Sequence, residues 1–548
     1  MNYKSTFHSF IFLLLFIQNS IAQTSKVTNP VLAGFYPDPS ICRVGNDYYL
    51  VNSTFCYYPG LPLFHSTDLV NWKQIGFAMD RPEQLDLDSL SLSLGLYAPA
   101  IRYYKGTYYI TCTVVAKGGN FIITARNPKG PWSNPVWLPP VKGIDPSLFF
   151  DDDGKAYIVF NSRAPEDKPL YDGHCTIRLY EVDLTTLQVK GEEKILVNGG
   201  TDISKKPKWI EGPHLYKNNG YYYLMCAEGG TEYGHSEVIF RSKKVDGPYE
   251  PWSGNPILTQ RTLDVNRPKP VTSTGHADLV AAKDGNWYAV FLGCRPYKDD
   301  YYNTGRETFM APVQWKDGWP VILPPNEPVP NSFNIMGAEK NSGEFNSNYL
   351  FRDAFKSPAL SYRYQFLRTV REPWYHVNNV TGSLTLQVQP VTCAEKGNPS
   401  FVGYRQSHQK GYAATSLTFA PLNQNEKAGL LVFQNEQHNY FLCQSVENNQ
   451  PVVQLYKGSD LITSQKISLS THMPLQLKIQ ANGNTYAFYY AQGDDHWKLL
   501  KDGVDATFLS THTAGGFVGC MYAMYTTSNG TPSSSTASFN SFESKGNN

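Results

Sequence analysis

Residues 45–51 read GNDYYLV, and the phrase returns as GTYYIT at 106–111, GKAYIV at 154–159, GYYYLM at 220–225 and GNWYAV at 285–290. Each copy is a glycine turn leading into an aromatic, β-prone run. A second apolar run stands just ahead of each: PSICRV (39–44), PAIRYY (99–104), PSLFF (146–150), GPHLY (212–216) and ADLVAA (277–282). Every unit therefore opens with a β-hairpin. The later phrases FHSTDLVNW (64–72), ARNPKGPW (125–132) and RSKKVDGPY (241–249) supply outer strands and a closing turn. Units of about 50–65 residues with four strands are propeller blades, and the repeat predicts a five-bladed β-propeller over residues 28–323.

The innermost strand of each blade begins at one mouth of the axis. Counting back eleven or twelve residues from the in-phase tyrosines Tyr49, Tyr109, Tyr157, Tyr223 and Tyr288 gives the strand heads Asp38, Ala98, Asp145, Glu211 and His276. Singly, Asp-Pro and Glu-Gly-Pro are ordinary strand-entry turns whose side chains cap nearby amides. Together, four ionisable groups around one narrow opening predict a shared site. Three carboxylates cannot all ionise cheaply in one pocket, so repulsion raises at least one pKa and leaves an acid beside a base. Glycosidic hydrolysis requires that division. If the base activates water, the configuration inverts and the two carboxyls stand about 6.5–9.5 Å apart; a nucleophilic carboxylate of a retaining enzyme sits at about 5–5.5 Å.

Other chemistries find less support. His276 and the aspartates are potential metal ligands, but no HExxH, paired-histidine or CxxC spacing accompanies them, which argues against a catalytic metal. Neither a GxSxG elbow nor a Gly-rich phosphate loop occurs. Lysine plus arginine number 48 against 47 aspartate plus glutamate, without long blocks of either sign. That balance disfavours nucleic acid, anionic lipid and polyanionic substrates. Aromatics at 14%, with 37 tyrosines, suit neutral sugars, whose C–H faces pack on rings.

Residues 1–22 carry one early lysine, an apolar run at 10–17 and small residues near Ser20 and Ala22, the pattern of a cleavable signal peptide. The run is too short to span a bilayer, and Gln23 and Thr24 offer no cysteine for a lipid anchor. The expectation is export to the periplasm without membrane insertion. Nine scattered cysteines, an odd number without CxxC, are expected as buried free thiols.

After Trp319 the pattern loosens into a stretch rich in proline, asparagine and serine, read as a linker over 324–349. From 350 to 548 alternating strands predict a second domain, a β-sandwich: SLTLQVQ from Ser383, AGLLVFQ from Ala428, NYFLCQ from Asn439, VVQLYKG from Val452, LQLKIQANGNTYAFYYA from Leu475 and GGFVGCMYAMY from Gly515. The fold class is all-β throughout.

The segments NPVLAGFYPDPSICRVGNDYYLVNSTF, GIDPSLFFDDDGKAY, WIEGPHLYKNNGYYYLMCAEGGT, STGHADLV and TGRETFMAPVQWKDGWPV resemble glycoside hydrolase family 43, from Asn29 to Leu323. The resemblance implies a five-bladed propeller of inverting enzymes, mainly β-xylosidases and α-L-arabinofuranosidases. It implies Asp38 as general base, Glu211 as general acid and Asp145 as the residue that orients the acid and tunes its pKa. Arg306 of TGRET matches an arginine that hydrogen-bonds sugar hydroxyls. His276 matches an axial histidine that in many members binds a water or a calcium ion beneath the sugar; no cofactor is required, and a structural calcium is optional. Phe55 resembles an aromatic wall of the terminal-sugar subsite, with Tyr36 just before the base as a second candidate. The C-terminal domain resembles the jelly-roll-like sandwich of the xylosidase branch, which can push a loop towards the pocket, and Phe517 of AGGFVG is the candidate for that loop. Several xylosidases of the family carry tryptophan where Tyr97 stands here in LYAPAIR.

The expected activity is thus exo-acting, inverting release of terminal α-L-arabinofuranosyl residues from plant hemicellulose or its oligosaccharides, with β-D-xylosidase or both activities as the alternative. A non-catalytic sugar-binding propeller and a retaining fructan-type hydrolase with Asp38 as nucleophile are the rivals.

Overall fold

The computed structural model describes residues 24–468, 473–493 and 496–547; the signal peptide read at 1–22 lies outside them. The chain is all-β, a five-bladed propeller followed by a β-sandwich. The innermost strands of the blades are Ser40–Val44, Ala100–Tyr104, Ile144–Phe150, Glu211–Asn218 and Thr272–Ala281. Each pairs with the aromatic strand of the repeat: Asp47–Val51, Thr107–Val115, Ala156–Arg163, Tyr221–Glu228 and Trp287–Cys294. The hairpin glycines Gly45, Gly106, Gly154, Gly220 and Gly285 have φ of 63, 83, 87, 74 and 86°, left-handed values that glycine adopts without strain. That is why the repeat is punctuated by this residue.

The first and last blades are joined by the segment ahead of Asp38. Asn29 Nδ2 donates to the carbonyls of Met310 (2.8 Å) and Pro330 (2.9 Å), and Leu32 bridges Thr308 in antiparallel fashion. The stretch read as a linker is partly structured. Ser332–Met336 pairs antiparallel with Thr24–Thr28, and Phe345 is buried edge-on to Tyr36 and Phe64. Its proline- and asparagine-rich composition hides a strand too short to show a period.

The sandwich consists of two eight-stranded sheets. The strands read at residues 383, 428, 439, 452 and 475 are present as Ser383–Gln387, Lys427–Phe433, Asn439–Glu447, Gln450–Lys457 and the hairpin Leu475–Asn482/Thr485–Gln492. The last predicted strand begins later than Gly515: Met521–Thr527 is extended, while residues 515–520 form a loop after the short helix Thr511–Ala514. Gly515 and Gly516, at φ of 69 and 76°, turn the chain there.

The two domains share a sheet. Tyr57–Tyr58, from the first blade, is the edge strand of one sandwich sheet and pairs with Tyr364–Leu367 through Phe366↔Tyr58 and Leu367↔Tyr57. A single apolar core runs through that junction, including Phe35, Phe55 and Tyr57 of the propeller with Tyr364, Leu367 and Phe401 of the sandwich. All nine cysteines are buried and unpaired. Among the described residues no helix is long and apolar enough to cross a membrane.

Candidate active site

The heads of the inner strands are held in unusual backbone. Ser40, Ala100, Ser147, His214 and Asp278 occupy matching places in the inner hairpins, opposite Val51, Thr111, Val159, Met225 and Val290. Two residues ahead of them stand Asp38, Ala98, Asp145, Gly212 and His276. Asp38, Asp145, Gly212 and His276 have φ of 50, 56, 57 and 49°. In blades three to five the ladder also slips, between Ile144/Ser147, Glu211/His214 and Gly275/Asp278. Bulges of this kind re-aim side chains at sheet ends. The fourth head in strict phase is Gly212, so Glu211 lies one residue earlier in its blade than the sequence repeat suggests.

All five predicted heads line one pocket of about 480 Å³, together with Arg306, Phe55, Tyr97 and Phe517. Tyr36 is elsewhere. Its ring packs edge-on to Phe64 at 5.4 Å and lies under the Arg405 guanidinium at 4.1 Å; residues 36 and 38 of a regular strand would share one side, but Asp38, at φ 50°, breaks the extended backbone and re-aims its side chain. Its carbonyl accepts from Asn52 Nδ2 and Thr308 Oγ1, and its N–H donates to the Arg306 carbonyl. Sequence reasoning missed Trp209, Lys208 and Glu232, which also line the pocket. Trp209 is 43% exposed, and an exposed tryptophan two residues before the candidate acid was a signal available in KWIEGPH.

Arg306 and Phe517 reach the pocket from a joint between the domains. Arg306 follows the turn at Gly305, and a Cβ on Gly305 would sit 2.7 Å from Gly519 Cα. Only two facing glycines allow the TGRET turn and the Phe517 loop to approach so closely. Cys520 N donates to the Asn303 carbonyl at 2.8 Å, and Asn303 Nδ2 donates to Tyr486 and to the Ala506 carbonyl. Phe517 stacks on Phe55 at 5.9 Å, and Tyr97 meets both rings at 5.2 and 5.9 Å. These three aromatics form one wall.

The carboxylates differ in their surroundings. Asp38 accepts from Arg306 Nη1 at 2.7 Å and from Ser53 Oγ at 2.6 Å, with His276 Nδ1 at 3.9 Å. Arg306 Nε is buried without a hydrogen-bond partner among the described residues. Burial pushes Glu211 well above the usual carboxylate range, the charges of Asp145 and Asp38 add to the rise, and Arg306 opposes it. Burial also raises Asp145, with His276 opposing. Asp145 Oδ2 accepts from Gly212 N at 3.1 Å, so this carboxylate grips the turn that presents Glu211. The arrangement offers a carboxyl poised to give a proton and, elsewhere in the same pocket, a carboxylate hydrogen-bonded to a fixed guanidinium, as an acid–base pair requires.

Beneath the pocket each blade contributes to a buried polar girdle. Asp278 Oδ2 accepts from Ser40 Oγ (2.6 Å) and Arg102 Nη1 (2.7 Å), and its Oδ1 accepts from Tyr216 OH (2.6 Å) and Arg102 Nη2 (3.1 Å). Arg102 Nη2 and Ser147 Oγ both meet His214 Nδ1, at 2.8 and 2.9 Å. Burial pushes the His214 imidazole down to about 3, so this ring is neutral and accepts through Nδ1.

Among the described residues no group of three or more His, Cys, Asp or Glu side chains is placed to hold a metal ion; a calcium at His276 would take most of its about six to eight oxygen ligands from other groups.

Comparison with known proteins agrees with this architecture. The profile of "Glycosyl hydrolases family 43" matches residues 27–320, and that of "Beta xylosidase C-terminal Concanavalin A-like domain" matches residues 352–545. A xylosidase/arabinosidase of Butyrivibrio fibrisolvens is 39% identical over 522 residues, covering 94% of this chain and 98% of its own. A non-reducing end alpha-L-arabinofuranosidase of Bacteroides ovatus is 36% identical over 554 residues, covering 97% of each. A solved structure described as Bacteroides ovatus xyloglucan PUL GH43B superposes with a TM-score of 0.84 at 36% identity, covering 95% of this chain and 100% of that one.

Proposed function

The chain belongs to glycosyl hydrolase family 43, and from that premise we propose that it is an exo-acting, inverting glycosidase releasing terminal α-L-arabinofuranosyl residues from hemicellulose-derived oligosaccharides. The observation that carries the reading is the asymmetry of the pocket carboxylates: Glu211 lifted well above its usual range and Asp38 held by Arg306 and Ser53. Glu211 protonates the leaving oxygen and Asp38 activates water on the opposite face of the sugar. Asp145 supports the acid through the Gly212 amide and through its charge. Phe517, brought in from the second domain, closes one side of the pocket against Phe55 and Tyr97, which favours a chain end over mid-chain attack.

The sugar assignment rests on Tyr97, a smaller ring than the tryptophan of several xylosidases, and on the arabinofuranosidase relative. A second reading, β-D-xylosidase or both activities, is favoured by the relative whose name joins xylosidase and arabinosidase. Incubation with p-nitrophenyl α-L-arabinofuranoside and p-nitrophenyl β-D-xyloside separates the two, and faster turnover of the xyloside would overturn the arabinose assignment. Proton NMR of the first-formed anomer tests the mechanism: the inverted anomer is expected, and a retained one would make Asp38 a nucleophile. A protein without activity on either glycoside would point to a binding propeller.

A further inference from the structure

The inner strand of blade five, Thr272–Ala281, holds Ser273 and His276 in left-handed backbone, at φ of 57 and 49°. Its ladder slips between Thr272/Gly275 and again between Gly275/Asp278. The second slip takes His276 and Ala277 out of register with Trp287–Cys294, and a buried N–H freed in this way needs another acceptor. Ala277 is fully buried. Strained backbone of this kind persists only where its surroundings over-determine it.

Blade four supplies the brace. His235 stands just ahead of the strand Ser236–Ser242 and Glu237 lies within it, two residues apart and so on one side. A Cβ on Gly275 would sit 2.6 Å from the His235 ring, and His235 Nδ1 meets the Ser273 carbonyl at 3.0 Å. Burial lowers this imidazole to about 3, so the ring is neutral and donates through Nδ1. Glu237 is fully buried, and its Oε2 accepts from Ala277 N at 3.0 Å. Burial pushes its carboxyl well above the usual range, and the Ala277 and His276 amides oppose the rise. The same device occurs one blade earlier, where Asp145 accepts from Gly212 N inside the slip at Glu211/His214. In both places a carboxyl of one blade holds the freed amide of the next.

What Glu237 fixes is His276. The imidazole lies against the Gly212 turn, where a Cβ would meet it at 2.9 Å, and its Nδ1 stands 3.9 Å from Asp38 Oδ1. One ring thus abuts both Asp38 and the turn that presents Glu211, so a shift of the bulge displaces one carboxyl relative to the other. Glu237 itself lies outside the pocket lining.

We propose that Glu237 is a positioning residue of the reaction: by accepting the Ala277 amide it fixes the His276 bulge and, through that ring, the placement of Asp38 against Glu211. This rests on the acid–base reading above. The test is steady-state kinetics on the p-nitrophenyl pentoside. Glu237→Met removes the acceptor at similar length and should lower kcat at least about tenfold, since a misplacement of about 1 Å can cost about a hundredfold, with KM held within about twofold. Glu237→Gln keeps an accepting oxygen and should retain kcat within about twofold. In a His276→Ala background, where the ring through which Glu237 acts is gone, Glu237→Met should lower kcat no further. If Glu237→Met does not fold, Glu237→Asp, its carboxyl drawn back by one methylene, takes its place in the same cycle with a smaller loss expected. Parental kcat in the methionine or aspartate variant, equal damage by glutamine, or losses that multiply in the double variant would overturn the proposal. Parental activity in Glu211→Gln or Asp38→Asn defeats the acid–base reading instead, so the two failures are distinguishable.

Discussion

Arg306 Nη2 donates to the main-chain carbonyl of Phe517 at 3.2 Å. An arginine of the propeller is thereby tied to the sandwich, while its Nη1 holds Asp38 at 2.7 Å and its guanidinium carbon lies 5.6 Å from the ring centres of both Phe55 and Phe517. The second domain is part of the pocket rather than an appendage. That relationship makes Phe517, on the loop at 515–520, part of the pocket lining.

Phe517→Ala removes one ring of the wall and leaves the main-chain carbonyl in place. Aromatic contacts of this kind are worth about 0.5–1.5 kcal/mol, so KM for the p-nitrophenyl pentoside should rise by up to about tenfold. The turnover number should change little. Steady-state kinetics separate the two constants, and a fall confined to kcat would place Phe517 outside the sugar subsite.

Arg306→Lys keeps a charge but loses the planar fork, and an ammonium cannot reproduce the paired geometry towards Asp38 and Phe517. Disturbing a buried, hydrogen-bonded charge pair costs about 2–5 kcal/mol, so kcat/KM should drop at least about thirtyfold. Arg306→Ala should recover part of its activity when guanidinium is added at millimolar concentration. A lysine variant with unchanged kinetics would show that the fork is not used.

The raised pKa of Glu211 has opposite consequences for activity and stability. Activity needs the protonated acid, so it should be present below the raised pKa and lost as pH rises through it. For stability, the folded state holds this proton more tightly than the unfolded chain, whose glutamate titrates near about 4.3. The folded protein is therefore destabilised as pH climbs from that value to the folded pKa. Glu211→Gln should lose at least about a hundredfold in kcat, melt above the parent at pH 8 and melt with it at pH 4. Calorimetric scans at the two pH values provide the check; a variant that melts lower at pH 8 would contradict the assignment.

The propeller was legible because its repeat unit carries a visible phrase, GNDYYLV and its four echoes, and glycine turns mark each hairpin. The site was legible because the strand heads fall in phase around an axis. What stayed hidden depends on backbone that no side-chain pattern records. The bulges at Ile144/Ser147, Glu211/His214 and Gly275/Asp278 shift the frame by one residue in blade four. Tyr36 was misplaced because sequence adjacency to Asp38 says nothing about which side its ring takes. The union of Tyr57–Tyr58 with Tyr364–Leu367 joins residues about three hundred positions apart, and a two-residue strand leaves no periodic signal to find.

The girdle beneath the pocket was not foreseen either, and it yields the sharpest stability prediction. Burial acts to raise the Asp278 carboxyl, but the Arg102 guanidinium, supported by Tyr216 and Ser40, holds it well below the usual range. A folded pKa below the unfolded value near about 3.9 gives stability that is present above that value and is lost as pH falls. Asp278→Asn leaves Arg102 buried without a counter-charge at the meeting point of all five blades, at a cost of about 3–5 kcal/mol. The double variant Arg102→Met/Asp278→Leu removes both charges and should be destabilised by less than the sum of its single variants. Urea unfolding followed by tryptophan fluorescence measures each. Strict additivity of the two substitutions would mean that the pair does not act as a unit, and the girdle would lose its claim to hold the ring closed beneath Asp38, Asp145 and Glu211.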